Sequence, residues 1–303
     1  MSRGVEQVTR GWSPAEEFNF LLTNRIPRRA LTRLIGWYSQ IESRWLTRLS
    51  ISVWSAFADD LRLHEAANRD FRSLRDCFTR RLRPDARPVD RRAHIAVSPC
   101  DAEIGEFGPV EGDTAFQAKG FPYQLDELIP DPEIRSRFRD GYFVNLRLKS
   151  SMYHRFHAPV DCRIDAIDYV SGDAWNVNPP TLKRIEKLYC RNERAVIPLG
   201  NISTRGELCL VAVAAVLVAS MRFEGLDQTL DLRYRGPNRI DMGRDYVRGQ
   251  EIGHFQQGST ILIFATRNYR LRKRLVSGDI VRMGQPLLID TTSLTKAVDE
   301  ETL

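Results

Sequence analysis

A chain of 303 residues with 42% hydrophobic and 28% charged content has the make-up of a globular protein able to bury one extensive core or two smaller ones. Lys and Arg outnumber Asp and Glu by 45 to 39, a net charge of +6, which favours an anionic partner, nucleic acid or acidic membrane, without choosing between them. The five cysteines, Cys77, Cys100, Cys162, Cys190 and Cys209, are odd in number and form no Cys-x-x-Cys pair, so a reducing compartment is expected and a disulfide framework or zinc site is not.

Met1 to Gly11 lacks the apolar core of a secretion signal. Ser13, Pro14 and Glu16 then predict a helix start, as N-cap, first-turn proline and capping-box acid. Phe18, Leu21 and Leu22 share one face of that helix. Pro27 opens a second, with Leu31, Leu34, Ile35 and Tyr38 at helical spacing. Between Phe20 and Ser50 there are six arginines and one acid, Glu42, with Trp37, Trp45 and Trp54 recurring along the stretch. Arginine beside tryptophan on an amphipathic helix suits the boundary between lipid headgroups and acyl chains. It equally suits a helix packed on the protein with its arginines in water.

A second basic run, Arg72 to Arg92, contains Pro84 and Pro88, which end the helical region and mark a boundary. Neither interleaved aromatics nor a nucleic-acid module accompanies it. From about residue 93 the pattern turns β-rich: Ile95 to Val97, Tyr142 to Leu148, Ile164 to Val170, Leu208 to Met221, Ile261 to Phe264 and Pro286 to Ile289 alternate with Gly, Pro and Asp turns. Leu125 to Ile129 and Pro132 to Phe138 read as short helices. The longest apolar run, the 14 residues Leu208 to Met221, is shorter than the ~20 that span a bilayer and predicts a buried strand. Thr291 to Leu303 is a polar tail.

Three segments carry groups able to do chemistry. In Gly249 to Phe264, Gly253 and Gly258 punctuate the approach to a buried strand, and a glycine before Ser259 permits backbone geometries that a Cβ forbids. The Ser259 hydroxyl can then reach back to the Gly258 carbonyl carbon. An N→O acyl shift there gives an ester, and β-elimination from the ester, followed by hydrolytic loss of the serine nitrogen as ammonia, leaves a pyruvoyl group. Gly-Ser-Thr is also a common turn. Ser98-Pro99-Cys100-Asp101 follows a strand and is itself a frequent turn motif. Tyr153 to Pro159 holds His154 and His157, which as residues alone are surface histidines, two metal ligands if helical, or bases. A hydroxyl, an imidazole and a carboxylate to orient it are the parts of a nucleophilic triad.

Those segments, in that order, resemble the phosphatidylserine decarboxylase family over about residues 20 to 290. Phe78-x-Arg80 with Arg87-Pro88, Gln117-Ala118-Lys119-Gly120 with Tyr123 and Leu125, Arg191-Asn192-Glu193-Arg194, the Tyr153 to Pro159 block and Gly249 to Phe264 carry the likeness. The resemblance implies an α+β fold: a helical membrane-associating region over residues 1–80, a β-rich catalytic domain over 81–290 and a polar tail over 291–303. It implies that Asp101 orients His157, and that His157 activates Ser259 against the Gly258 carbonyl. One precursor then yields a β chain ending at Gly258 and an α chain opened by a pyruvoyl cofactor made from Ser259. His154 is implied in the decarboxylation step, near the substrate's carboxylate or phosphate, while His254 reads as a packing or capping residue. The implied reaction converts phosphatidylserine into phosphatidylethanolamine at the cytoplasmic face of a bacterial-type membrane, by a peripheral enzyme that binds anionic lipid and not nucleic acid. A homodimer is the family's analogy.

Departures from the family pattern are Gln257 for Leu, Met152 for the acid before Tyr-His-Arg, Ala102 for Gly, and Ala214, Val216 and Ala219 for Gly, Thr or Asn, and Gly. Added methyls narrow the space and a lost hydroxyl removes a partner, which bears on the substrate more than on cleavage. The rival readings are a pyruvoyl decarboxylase of a soluble amino acid, a non-catalytic relative that binds acidic lipid, and a basic nucleic-acid-binding protein.

Overall fold

The computed structural model describes residues 34–292 except 119–120, 174, 176, 178, 183–184, 203–205, 216–219, 232 and 257–258. The helices expected from Ser13 and through Pro27 to Leu31 lie outside these residues, as do Gln257, Gly258, Val216, Ala219 and the tail from 293 onward. Residues 34–38 are helical. Helix α1 (Arg44–Phe57) starts at Ser43, whose side chain accepts the Leu46 N–H, an N-cap that satisfies one orphan donor of the first turn. Helix α2 (Leu74–Phe78) is capped in the same way by Ser73 on Asp76 N–H. The two helices meet at Trp54 and Phe78, whose rings stack with centroids 5.8 Å apart. A small cluster of Ala66, Phe71 and Cys77 packs with Ile51 and Trp54 beneath α1.

Strands follow as expected from the change of pattern after residue 93. They are β1 (Ile95–Val97), β2 (Ala102–Pro109), β3 (Thr114–Ala118), β4 (Phe121–Gln124), β5 (Tyr142–Leu148), β6 (Arg155–His157), β7 (Cys162–Val170), β8 (Arg194–Asn201) and β9 (Leu208–Ala214). The later strands are β10 (Ser220–Phe223), β11 (Leu230–Asp231), β12 (Arg239–Tyr246), β13 (Glu251–Phe255), β14 (Ser259–Ala265), β15 (Tyr269–Leu271), β16 (Ile280–Val281) and β17 (Pro286–Asp290). Eight of them form one sheet in the order β12-β7-β8-β9-β14-β5-β2-β16, and four form a second, β11-β10-β13-β6. β14 is central, antiparallel to β5 on one side and β9 on the other, with Ser259 opposite Leu148 and Ala214.

The eight-stranded sheet is a middle layer. One face, carrying Leu210, Ala212, Ile261 and Ile263, packs with Phe156, Met221 and Phe255 of the four-stranded sheet. The other face, with Val211, Val213, Leu262 and Phe264, packs on Tyr123, Leu125, Phe138 and Leu188 from the short helices and the β3–β4 hairpin. Burial on both faces explains why β9 and β14 show unbroken apolar runs instead of alternation. Each fully buried Ile or Leu in such a strand contributes about 1.5–3 kcal/mol of transfer free energy.

One expected element divides. The run Leu208 to Met221 supplies β9 in the large sheet and β10 in the small one. β13 and β14 change sheets in the same way across residues 256–258. The corners are neighbours, because the Gln256 N–H donates to the Ser220 carbonyl and the Ser220 hydroxyl to Gln256 Oε1. Hydropathy cannot register a corner whose residues are as apolar as the strands they join.

Candidate active site

Ser259 is the first residue of β14 and fully buried. Its Oγ has no hydrogen-bond partner among the described residues, an uncommon condition for a buried hydroxyl. Strand alternation puts Ser259 on the face of Ile261 and Ile263, the face covered by the sheet that contains β6. Thr260 turns the other way, onto the face that packs with Tyr189, and its buried hydroxyl likewise has no hydrogen-bond partner among the described residues. Tyr189 also meets Asn145, whose amide donates to its hydroxyl at 3.1 Å.

His154 and His157 lie on or beside β6, which pairs with β13. The His154 carbonyl accepts the Phe255 N–H, so this residue sits against the strand end that leads into the 256–258 corner. Its ring is completely buried, packs on Phe78 at 4.0 Å between centroids with the planes tilted by 37°, and directs Nδ1 to the Met152 carbonyl at 2.8 Å. Its Nε2 has no hydrogen-bond partner among the described residues. Burial drives the His154 pKa down to about 3, with the nearby Arg80 charge acting in the same direction and the Met152 contact against it. The ring is therefore neutral, and since a carbonyl only accepts, Nδ1 carries the proton.

His157 is held at both nitrogens. Nδ1 faces the Gly249 carbonyl at 2.9 Å and Nε2 the Tyr153 hydroxyl at 3.0 Å. The same logic places the proton on Nδ1, so Nε2 is the basic nitrogen and receives the Tyr153 O–H. Gly249 has φ +83°, a conformation that L side chains avoid, and this turn presents its carbonyl to the imidazole. Burial lowers the His157 pKa, and the Gly249 carbonyl, Glu251 and Asp101 oppose that shift.

The structure does not place Asp101 on the His157 ring. The buried carboxylate accepts Arg87 Nε at 2.8 Å, Arg282 Nη1 at 3.2 Å and the Met283 N–H at 2.9 Å. Arg87 in turn pairs with Glu65 at 2.8 Å, and Glu65 with Arg62. The Arg87 fork meets the carboxylate with two parallel bonds, and with Met283 N–H on Oδ1 and Arg282 on Oδ2 each oxygen already receives two donors. The link to His157 runs through the backbone instead: the His157 N–H donates to the Pro99 carbonyl at 2.8 Å, in the turn that Asp101 ends. Ser98 closes that turn by donating to the Cys100 carbonyl.

Tyr153, Gly249, Arg87 and Glu65 were not singled out from sequence. Tyr153, Gly249 and Arg87 stand inside motif blocks that carry the family likeness, whereas Glu65 had no signal in the sequence. His254, read as a packing or capping residue, faces Glu251 at 3.8 Å. Arg155, between the two histidines, forms an ion pair with the same Glu251 and donates to the Thr79 carbonyl, so it ties β6 to α2. Gly253 is required where β13 passes β10: a Cβ there would lie 2.3 Å from the Arg222 carbonyl oxygen.

A buried serine at a sheet-switching corner, with neutral imidazoles on the adjoining strand edge, is an enzyme's arrangement on a β-rich scaffold. The profile of the phosphatidylserine decarboxylase family matches residues 74–289. Similar proteins include the phosphatidylserine decarboxylase proenzymes of Erwinia tasmaniensis, 33% identical over 297 residues covering 93% of this chain and 96% of the relative, and of Sodalis glossinidius, 33% identical over 90% and 95%. That of Saccharophagus degradans is 31% identical over 86% and 93%. The chain belongs to the phosphatidylserine decarboxylase family, a family of carboxy-lyases.

Proposed function

We propose that this protein is made as a precursor, cleaves itself between Gly258 and Ser259, and decarboxylates phosphatidylserine to phosphatidylethanolamine with a pyruvoyl group formed from Ser259. The observation that carries this reading is the Ser259 hydroxyl, buried and without a hydrogen-bond partner among the described residues, in a chain whose relatives are named as proenzymes. An orphaned hydroxyl at a strand head, in a water-poor setting, fits a side chain consumed in making a prosthetic group. When formed, a pyruvoyl group takes up the substrate's amine and accepts the electron pair left by CO2.

The chain's own residues divide the remaining work. His157 Nε2 takes the proton of Ser259 Oγ as the oxygen attacks the Gly258 carbonyl carbon. The path to that nitrogen runs through or past the Tyr153 hydroxyl. Asp101 contributes by anchoring the Ser98–Asp101 turn that holds the His157 backbone, and by the charge that favours a protonated ring. His154 serves the decarboxylation step, where its free Nε2 can meet the substrate's carboxylate or phosphate. Ala214, where the family has glycine, stands opposite Ser259 in the sheet, so its methyl belongs to the surroundings of the cleavage site.

Lipid is favoured over a soluble amino acid by the outer face of α1. Trp45, Leu49, Val53 and Phe57 recur every fourth residue and are all exposed, Trp45 at 74% and Phe57 at 89%. That is an apolar stripe facing solvent, of the kind a membrane interface covers. We assign the protein to the cytoplasmic side of the membrane as a peripheral protein, with residues 1–80 the membrane-associating region, 81–290 the catalytic domain and a homodimer as the family's analogy. Among the described residues no helix is long and apolar enough to cross a membrane.

The test is the intact mass of purified protein beside Ser259→Ala, with CO2 release from phosphatidylserine vesicles measured on both. Wild type is expected as two fragments, the smaller one reactive with hydrazines, and the variant as one inactive chain. His157→Ala should also stay whole, and His154→Ala should cleave but turn over poorly. Wild type that remains a single chain and releases no CO2 refutes the reading and leaves a lipid-binding relative.

A further inference from the structure

Beside the Tyr153 side of the site lies a cavity of about 300 Å³, the size of a small-molecule pocket. Its apolar walls are Leu61, Leu82, Met152 and Ile280. Most of its charged lining is internally matched. Glu65 pairs with Arg62 and Arg87, Asp101 with Arg87 and Arg282, and Asp59 with Lys149, while Asp60 accepts the Arg62 N–H.

Arg80 is the exception. It is 5% exposed and has no carboxylate within ion-pair distance among the described residues. Its guanidinium donates only to backbone carbonyls, to Leu61 at 2.8 Å, Ser151 at 3.1 Å and Cys77 at 3.2 Å, and its Nε has no partner. Leu61 and Ser151 themselves line the cavity. A buried cation held by carbonyl dipoles, with the Asp101 and Glu65 carboxylates acting on it only beyond ion-pair distance, is costly, and an incoming anion relieves that cost. The position relative to the site is equally specific. Phe78, two residues before Arg80, packs on His154 with its ring centroid 4.0 Å away, and the Arg80 charge acts on the His154 ring.

We propose that Arg80 binds the phosphodiester of the lipid substrate in this cavity and so sets the headgroup beside His154. The proposal rests on the decarboxylase reading above and deepens it. The substrate offers two anions, a phosphodiester and a carboxylate, and chemistry separates them. A cation held against the carboxylate would stabilise a charge that is lost as CO2 departs, favouring the ground state over the transition state. The phosphodiester keeps its charge through the reaction and is present in substrate and product alike. Arg80 therefore contributes uniform binding, whose removal raises KM and spares kcat.

The experiment uses self-cleaved enzyme with phosphatidylserine in mixed micelles, comparing wild type, Arg80→Gln and Arg80→Lys, with fragment formation recorded for each. Arg80→Gln is expected to cleave normally, to raise KM about ten- to a hundredfold, as loss of a charge-assisted bond predicts, and to keep kcat within about twofold. Arg80→Lys should recover part of the KM. Glycerophosphoethanolamine, a diester without acyl chains or carboxylate, should compete with substrate on wild type and at least about tenfold more weakly on Arg80→Gln. Inorganic phosphate competing as well as the diester would point to a free-anion site and overturn the assignment. A guanidinium that only clamps three backbone segments would move stability and cleavage together and leave KM unchanged, which also overturns it. If Arg80→Gln does not cleave, wild type decides: no competition by glycerophosphoethanolamine refutes the proposal. Wild type that neither cleaves nor releases CO2 refutes the decarboxylase reading instead.

Discussion

His154 and His157 are three positions apart and meet different surroundings. His157 has both nitrogens engaged, by Gly249 and Tyr153, while His154 keeps Nε2 free in a fully buried pocket. This difference has a measurable consequence for stability. The folded pKa of His154 is about 3, whereas an unfolded histidine titrates near 6.5. Below ~6.5 the unfolded chain binds the extra proton, so the contribution is complete above that pH and is lost as pH falls toward 3, by about 1.4 kcal/mol per unit. In an uncleaved Ser259→Ala background, His154→Gln should flatten the denaturant-measured stability between pH ~7 and ~5; parallel slopes would show that the ring is not held neutral by burial. Glu65 titrates lower still. Burial opposes its ionisation, but hydrogen bonds from Arg62 and Arg87 outweigh burial and bring its pKa down to about 2. Its stabilisation is present above the ordinary carboxylate range and is lost only as pH falls from there toward 2.

Helix α1 makes two kinds of contact with its two faces. Thr47 is buried and donates to the Arg72 carbonyl, while Trp54 and Ile51 pack on the small cluster below. The opposite stripe, Trp45 to Phe57, touches solvent. Replacing Trp45 and Phe57 together by Glu should weaken binding to phosphatidylserine vesicles by at least about tenfold, given about 1.5–3 kcal/mol for a large apolar side chain. Fragment formation should be unaffected, because the stripe is remote from the packed face. Loss of fragment formation would instead make these side chains part of the fold. The arginines and tryptophans along α1 were legible as an amphipathic pattern, but which face packs was not, because the apolar stripe Trp45 to Phe57 is exposed and Thr47 is buried. The strand run Leu208 to Met221 was readable as buried and unreadable as two elements, since its change of sheet leaves no break in hydropathy.

Across the molecule, the proposed cleavage site separates β13 of the four-stranded sheet from β14 of the eight-stranded sheet in sequence. The segment after Gly258 begins with β14, whose seven residues pair on both sides, with β5 and with β9. Cleavage should therefore not release the small chain: two fragments are expected to co-elute in native size exclusion and to separate only in denaturant. Separation under native conditions would contradict this sheet order.

Sequence by itself determined the β-rich character after residue 93 and the apolar strand behind Ser259, and motif resemblance singled out Asp101, His154, His157 and Ser259 as candidates. These are local properties, written in neighbouring side chains and their spacing. Only the tertiary structure decided that Asp101 is engaged by Arg87, Arg282 and the Met283 N–H, that Tyr153 and Gly249 hold His157, and that Arg80 faces a cavity without a carboxylate of its own. Apart from the Tyr153–His157 contact, only four positions apart, each of those depends on partners 14 to 182 positions apart or on a backbone carbonyl. Every residue carries a carbonyl, so composition cannot mark the ones that matter, and only the packing of sheet against sheet selects them.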